Sequence, residues 1–378
     1  MSTARIERSL KPQIIADLNK KVVLLSGPRQ VGKTFLSKEL YSDSFEYLNF
    51  DYNNDRKIIL GQSWSRNREL IIFDEVHKMK NWKRWIKGVY DVEGVPPRLL
   101  ATGSARMDLF KKGSDSLAGR HHMHRLFPFS VAELKKEFSP HQALVQLLKL
   151  SGFPEPFLSQ SEEHANRWRR SHLERILRED LLDLERVREI KQLEILVDLL
   201  SERVGSTISY ASLAKDLEIS PHTVKKWIQV LENLYVIFVV TPYSKNLARS
   251  ILKEPKIYFF DTGRVVDQPG PRFENLVAIS LLKRNCFLED TKGESMALHY
   301  VRDKEKREVD FLTLQNKKPE YLIEVKVSDT SASPALQYFS DRINPKQAIQ
   351  LVQEIRKEQR FGNLDILNAA PWLSGLET

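Results

Sequence analysis

The sequence predicts an α/β protein: a parallel sheet wrapped by helices, then a helical middle, then a second α/β region. Three observations carry this. Short apolar runs alternate with helical patterns over the first 130 or so residues. Long charged helical stretches follow, and apolar β-runs return after residue 255.

Residues 21–26, KVVLLS, read as a buried strand, and GPRQVGKT leads from it into a helix running from Phe35 to Leu40. Residues 45–50, FEYLNF, read as a second strand ending at Asp51. Residues 70–73, LIIF, form a third that ends in Asp74-Glu75, and residues 98–102, RLLAT, a fourth. Residues 131–200 read as helical, and in RWRRSHLERILREDLLDLERVREI acids and bases interleave as on a solvated bundle rather than a basic stripe. Residues 207–240 read as a winged helix-turn-helix: LAKDLEI is one helix, Ser220-Pro221 a start signal, HTVKKWIQVLENL the second helix, and YVIFVVTPY a strand. KIYFF, EVDFLTL and YLIEVKV are β-runs around one helix, FENLVAISLLKRN; the last fifty residues read as a helix, a strand and a tail.

The chain has 378 residues, enough for two or three domains, with 41% hydrophobic and 29% charged residues as in soluble globular proteins. No apolar stretch approaches the eighteen residues of a membrane span, and the N-terminal segment lacks a secretory h-region. A single cysteine, Cys286, excludes an internal disulfide framework. These features point to the cytoplasm and away from a membrane partner. A net charge of +9 favours an acidic partner, of which nucleic acid, here DNA, is the commonest.

Gly27, Pro28, Arg29, Gln30, Val31, Gly32, Lys33 and Thr34 fit G-x-x-x-x-G-K-[ST]. Glycines let backbone N–H groups turn inward around phosphate oxygens, and the helix start aims its positive end at the same anion. Lys33 reaches the β- and γ-phosphates, Thr34 offers a hydroxyl to Mg²⁺, and Phe35 follows directly. Asp74 is placed to hold Mg²⁺ and Glu75 to orient and deprotonate the attacking water, so ATP and Mg²⁺ are the expected cofactors and hydrolysis the expected reaction. After the fourth strand, Ser104 is either a γ-phosphate sensor or the cap of a glycine turn. Arg120 is either a charge stabiliser, in cis or in trans, or a surface arginine.

These motifs together resemble a widespread prokaryotic family of AAA-type ATPases that carry a C-terminal domain of uncharacterised function. The resemblance covers most of the chain and runs through SGPRQVGKT, YLNFD, IIFDEVHK, LLATGSAR, LAGR, LFPFSVAEL and SGFPEPF, then KIYFFDTG, FENLVAISLL, EVDFL and IEVKVS. It implies a sheet with an extra strand between the P-loop strand and the Asp-Glu strand, the roles argued above for Lys33, Thr34, Asp74 and Glu75, and support for Ser104 as sensor and for Arg120. One departure is a histidine-rich segment, His121, His122 and His124, whose spacing suits a metal site poorly.

A second constellation is Glu274, Asp310, Glu324 and Lys326. Side chains alternate along a strand, so Glu324 and Lys326 share one face while Ile323, Val325 and Val327 share the other. If the EVDFL and YLIEVKV strands pair, Asp310 comes beside Glu324, and Glu274 on a preceding helix can cover the same edge. This resembles the core of PD-(D/E)xK nucleases, in which carboxylates hold Mg²⁺ against a scissile phosphate and the lysine positions water. The plain alternative is the exposed face of an ordinary strand.

His222, Thr223, Lys225 and Lys226 begin the second helix of the helix-turn-helix, where they either meet DNA or leave the module to pack, with Trp227, Val230, Leu231 and Leu234 as core. The reading is therefore an AAA-type P-loop ATPase domain (1–135), a helical lid or linker (136–200), a winged helix-turn-helix (201–248) and a restriction-endonuclease-like α/β domain (249–378). A homo-oligomer is left open. The alternative is an ATP-dependent switch acting on a protein partner, with a catalytically silent C-terminal module.

Overall fold

A computed structural model describes residues 6–104, 117–179, 187–244, 254–266 and 268–378. The tail of the LLATGSAR motif, beyond Ser104, and residues 180–186 of the long charged stretch lie outside the described residues. Among the described residues no helix is long and apolar enough to cross a membrane. The chain divides into two compact units, Glu7–Phe127 with Asn233–Tyr235, and Pro128–Glu232 with Val236–Thr378.

The first unit opens with α1 (Lys11–Leu18), followed by β1 (Val22–Ser26), α2 (Lys33–Glu39), β2 (Phe45–Asn49), α3 (Asn53–Gly61), β3 (Leu70–Asp74), α4 (Trp82–Glu93), β4 (Arg98–Gly103) and β5 (His121–Arg125). The strands form a five-stranded sheet in the order β2-β3-β4-β1-β5, and every pairing is parallel. β4 lies between the P-loop strand β1 and the Asp-Glu strand β3, the inserted strand that the resemblance implied. β1 and β3 are buried throughout, because helices cover both faces of a parallel sheet. On one face Phe73 meets Trp64 and Trp85 edge-on, with ring centroids 5.2 and 5.1 Å away.

The fifth strand was not legible as a strand. His121–Arg125 has no apolar run, yet it lies along β1 with Val22 beside His121 and Ser26 beside Arg125. Its inward group is held from one side: His124 is fully buried, and its Nε2 lies 2.9 Å from Asp17 Oδ2.

The second unit begins with helices α5 (Val131–Leu134), α6 (Pro140–Leu150), α7 (Pro154–Ser159), α8 (Glu162–Glu179) and α9 (Val187–Ser201). Then come α10 (Tyr210–Asp216), α11 (Pro221–Asn233), β6 (Ile237–Pro242) and β7 (Lys256–Phe259). Ser220 Oγ accepts from the Thr223 N–H at 3.1 Å, which makes it the cap that Ser220-Pro221 announced. Trp227 and Leu231 are buried, as are Val224 and Ile228.

The unit ends with α12 (Pro269–Lys292), β8 (Met296–Arg302), β9 (Glu308–Gln315), β10 (Lys318–Lys326), α13 (Pro334–Ile343), β11 (Gln347–Val352), β12 (Gln359–Phe361), β13 (Leu364–Asn368) and α14 (Ala369–Ser374). An eight-stranded mixed sheet runs β12-β13-β11-β10-β9-β8-β6-β7. β9 and β10 are antiparallel neighbours, with Leu322 opposite Leu312 and Ile323 opposite Phe311, so the next pair along is Glu324 and Asp310. Two polar clamps fix α12. Asn275 mimics a strand edge, accepting from Phe259 N–H at 2.7 Å and donating to Phe259 O at 2.9 Å. Arg284 makes a bidentate pair with buried Glu320 at 2.8 and 2.6 Å.

Candidate functional site

The P-loop joins the end of β1 to the start of α2. Gly27 is required by close approach, since a Cβ there would lie 2.1 Å from the Leu126 carbonyl oxygen. Gly32 precedes α2 at φ 98°, a left-handed conformation that glycine adopts at little cost. The N–H groups of a helix's first turn have no intrahelical acceptor, which suits this end to an anion. Buried Lys33 folds back over the loop, its Nζ donating to Gly27 O at 2.9 Å and Pro28 O at 2.8 Å. Phe35 is 60% exposed beside it.

Asp74, at the end of β3, is the centre of the polar network. Thr34 Oγ1 donates to its Oδ2 at 2.8 Å and Tyr47 Oη to the same oxygen at 2.6 Å. Thr102 Oγ1 and the Glu75 N–H donate to Oδ1. Burial, then the hydrogen bond and charge of Asp74, hold the Tyr47 phenol far above its usual range, so it stays a donor. Glu75 sits at φ 57°, with Oε2 3.8 Å from Lys78 Nζ and 3.6 Å from His77 Nδ1. Burial, and then the charges of Lys78 and Lys33, push His77 down to about 4, so at neutral pH it faces Glu75 uncharged. Lys78 in turn pairs with Asp51 at 2.5 Å.

Sequence reasoning named Lys33, Thr34, Asp74 and Glu75, and the fold brings them together. It missed Tyr47 and Thr102, whose only signal was a hydroxyl near the finish of a strand beside β3. Ser104 is buried at the exit of β4, but the β4 hydroxyl that reaches Asp74 belongs to Thr102. Arg120 needs a correction as a cis-acting group. It precedes β5, at the end of the sheet opposite the P-loop, roughly 16 Å away at about 3.3 Å per residue. There its Nε donates to Asp91 at 2.7 Å. The arginine at the P-loop end of β5 is Arg125, level with Ser26.

Residues 19–135 match the family described as AAA domain. This part of the chain is an AAA-type P-loop domain. Residues 141–267 and 269–372 match two domains of unknown function, DUF8612 and DUF4143. An uncharacterised protein of Mycobacterium tuberculosis is 29% identical over 270 residues, 69% of this chain; the match spans 57% of that relative's length. An uncharacterised protein of Methanocaldococcus jannaschii is 24% identical over 374 residues, 89% of this chain and 81% of its own. Among solved structures, a signal transduction ATPase with numerous domains from Pyrococcus horikoshii aligns over 76% of this chain and 48% of its own, at 14% identity. Its TM-score of 0.23 is too low to carry an argument.

Beyond the AAA domain, Glu274, Asp310, Glu324 and Lys326 also converge, with three residues the sequence did not single out. Lys256 Nζ, fully buried, lies 3.3 Å from Glu274 Oε1, 2.8 Å from Glu308 Oε1 and 3.3 Å from Asp310 Oδ1. Tyr258 Oη donates to Glu274 Oε1 at 2.7 Å. Asp310 Oδ2 accepts from the Val325 N–H at 2.9 Å, and Lys326 Nζ pairs with Glu324 Oε1 at 2.8 Å. Burial, and then the Asp310 charge, push the Glu274 and Glu324 carboxyls up to about 7. Burial would lower Lys256, but Glu274, Asp310 and Glu308 outweigh it and hold the ammonium above its usual range. Among the described residues, no group of three or more His, Cys, Asp or Glu side chains is arranged to hold a metal ion.

Of the helix-turn-helix candidates, His222, Lys225 and Lys226 are exposed near the start of α11. Thr223 is half-buried, and its hydroxyl lies 2.8 Å from Ser220 Oγ, which engages it in the cap.

Proposed function

We propose that the chain binds and hydrolyses ATP at the P-loop and that the region beyond the AAA domain engages nucleic acid. The observation that carries the first part is the juxtaposition of Thr34 and Asp74, 2.8 Å apart, beside Lys33 and Glu75. A hydroxyl and a carboxylate side by side are hard oxygen donors of the kind Mg²⁺ prefers, so these two residues would hold it. Bound there with the triphosphate, Mg²⁺ supplies neutralisation of phosphate charge. Lys33 exchanges the Gly27 and Pro28 carbonyls for phosphate oxygens. Tyr47 and Thr102 keep the Asp74 carboxylate oriented by donating to it. Glu75 accepts the proton of the attacking water, a task for which it must leave Lys78. Ser104, at the exit of β4, is the candidate γ-phosphate sensor.

For the rest of the chain, the proposed reading is a winged helix-turn-helix that meets DNA through His222, Lys225 and Lys226, followed by a restriction-endonuclease-like domain. The convergence of Glu274, Asp310, Glu324 and Lys326 supports the likeness to PD-(D/E)xK folds. The second reading, a switch in which that domain is catalytically silent, draws support from Lys256, whose ammonium sits among the carboxylates. ATP turnover and DNA cleavage by wild type, Lys33→Ala and Lys326→Ala, with and without linear, supercoiled and branched DNA, test both. ATP turnover lost in Lys33→Ala and kept in Lys326→Ala is the expected result. Turnover unaffected by Lys33→Ala would sink the ATPase reading.

A further inference from the structure

We infer that Lys256 is the resident cation of the C-terminal carboxylate cluster, supplying the positive charge that a divalent ion supplies in a PD-(D/E)xK nuclease. The inference rests on the nuclease-like reading of residues 249–378 and is independent of the ATPase reading.

Three acids from two elements meet one ammonium. Glu274 comes from α12, Glu308 and Asp310 from β9, and all three lie within 3.3 Å of Lys256 Nζ. The lysine side chain has no solvent exposure, and its Nζ lies 5.6 Å from the centroid of the Tyr300 ring. A lysine is buried this completely only when its charge is matched, and here the match is what holds it. One oxygen each of Glu274, Asp310 and Glu324 is otherwise engaged. Glu274 Oε1 accepts from Tyr258, Asp310 Oδ2 from the Val325 N–H, and Glu324 Oε1 pairs with Lys326. The second Glu324 oxygen is buried with no hydrogen-bond partner among the described residues. The positive charges that act on this carboxyl are those of Lys326 and Lys256.

An ammonium neutralises carboxylates but does not act as a Lewis acid, so it cannot generate a hydroxide nucleophile at neutral pH as a bound metal does. The cluster then organises the sheet edge and the seat of α12, and this domain grips nucleic acid without cutting it. Its trace in the sequence is a lysine opening the otherwise apolar run KIYFF.

The test is Mn²⁺ titration of the full chain without nucleotide, with free Mn²⁺ read by electron paramagnetic resonance. Wild type should show no Asp310-dependent binding up to about 1 mM, the weak end of biological divalent sites. Lys256→Met should gain one Mn²⁺ at least roughly tenfold more tightly, about 1.4 kcal/mol. Adding Asp310→Asn should abolish the gain, and Lys256→Arg should behave as wild type. Wild-type binding that Asp310→Asn removes, or no gain in Lys256→Met, overturns the inference. Because Lys256→Met leaves three acids facing one another, Lys256→Met with Glu308→Gln is read in parallel, with a thermal melt to show that each variant folds. DNA affinity in the same variants checks the nucleic-acid reading separately: its absence in wild type would sink that reading and leave the Mn²⁺ result standing.

Discussion

Thr34 and Asp74, forty residues apart in the chain, meet through a 2.8 Å hydrogen bond from the threonine hydroxyl to Oδ2. The contact exists because β4 sits between β1 and β3, which sets the start of α2 opposite the finish of β3. Asp74 thus faces the P-loop with both oxygens held by hydroxyl or N–H donors.

Lys33→Ala should lower ATP turnover by about 100-fold or more, the usual loss when a charge-stabilising donor is removed from a reacting group. Its thermal melt should stay near that of wild type. Phosphate release measured on folded protein decides this, and retention of more than a tenth of the activity would count against the assigned role.

Tyr47→Phe removes one of the donors on Asp74 and leaves a buried carboxylate oxygen with less support. A loss of roughly 1–2 kcal/mol of stability is expected from urea unfolding. The Mg²⁺ concentration for half-maximal turnover should also shift, because the orientation of Asp74 relaxes. Asn49, whose Nδ2 lies 3.4 Å from the Tyr47 oxygen, should matter far less when changed to Ala.

Arg120→Ala should leave turnover of an isolated chain within about twofold, since its partner is Asp91 at the opposite end of the sheet, and exposed pairs of this kind contribute about 0–1 kcal/mol. A loss that depends on protein concentration and recovers on mixing with Lys33→Ala would show instead that Arg120 acts on a neighbouring copy.

Glu274 and Glu324 predict a pH dependence. Burial and the nearby Asp310 charge raise their carboxyls from 4.5 to about 7. A raised acid binds its proton more tightly in the folded state, so its stabilisation is full below the unfolded value and is lost as pH rises through 7. Urea unfolding of the C-terminal unit should show stability falling by roughly 1–3 kcal/mol between pH 5 and pH 8. Glu324→Gln should flatten that slope, and an unchanged slope would remove this carboxyl from the account.

Much of the first site was legible because its parts are contiguous. GPRQVGKT carries its glycines, lysine and threonine in one turn, and LIIFDE puts both acids at the end of one buried strand. Period two likewise placed Asp310 beside Glu324 once the strands paired as they do. Which end of the sheet Arg120 occupies was not legible, because the strand after it, HHMHR, has no apolar signature. Its buried His124 meets Asp17, more than a hundred residues back, a contact that no local pattern reveals. Between the two readings open for Thr223, a DNA contact or a packing module, the local pattern did not show that its hydroxyl lies 2.8 Å from Ser220 Oγ in the cap of its own helix.

The sequence by itself determined the phosphate loop, the acid pair and the strand alternation, because each depends on neighbours within one element. Tertiary structure alone decided which hydroxyls hold Asp74, which end of the sheet Arg120 occupies, and that Lys256 lies among Glu274, Glu308 and Asp310. The reason is that the charge state and reach of a buried polar group depend on what long-range packing sets around it, and strand order, not residue order, chooses those neighbours.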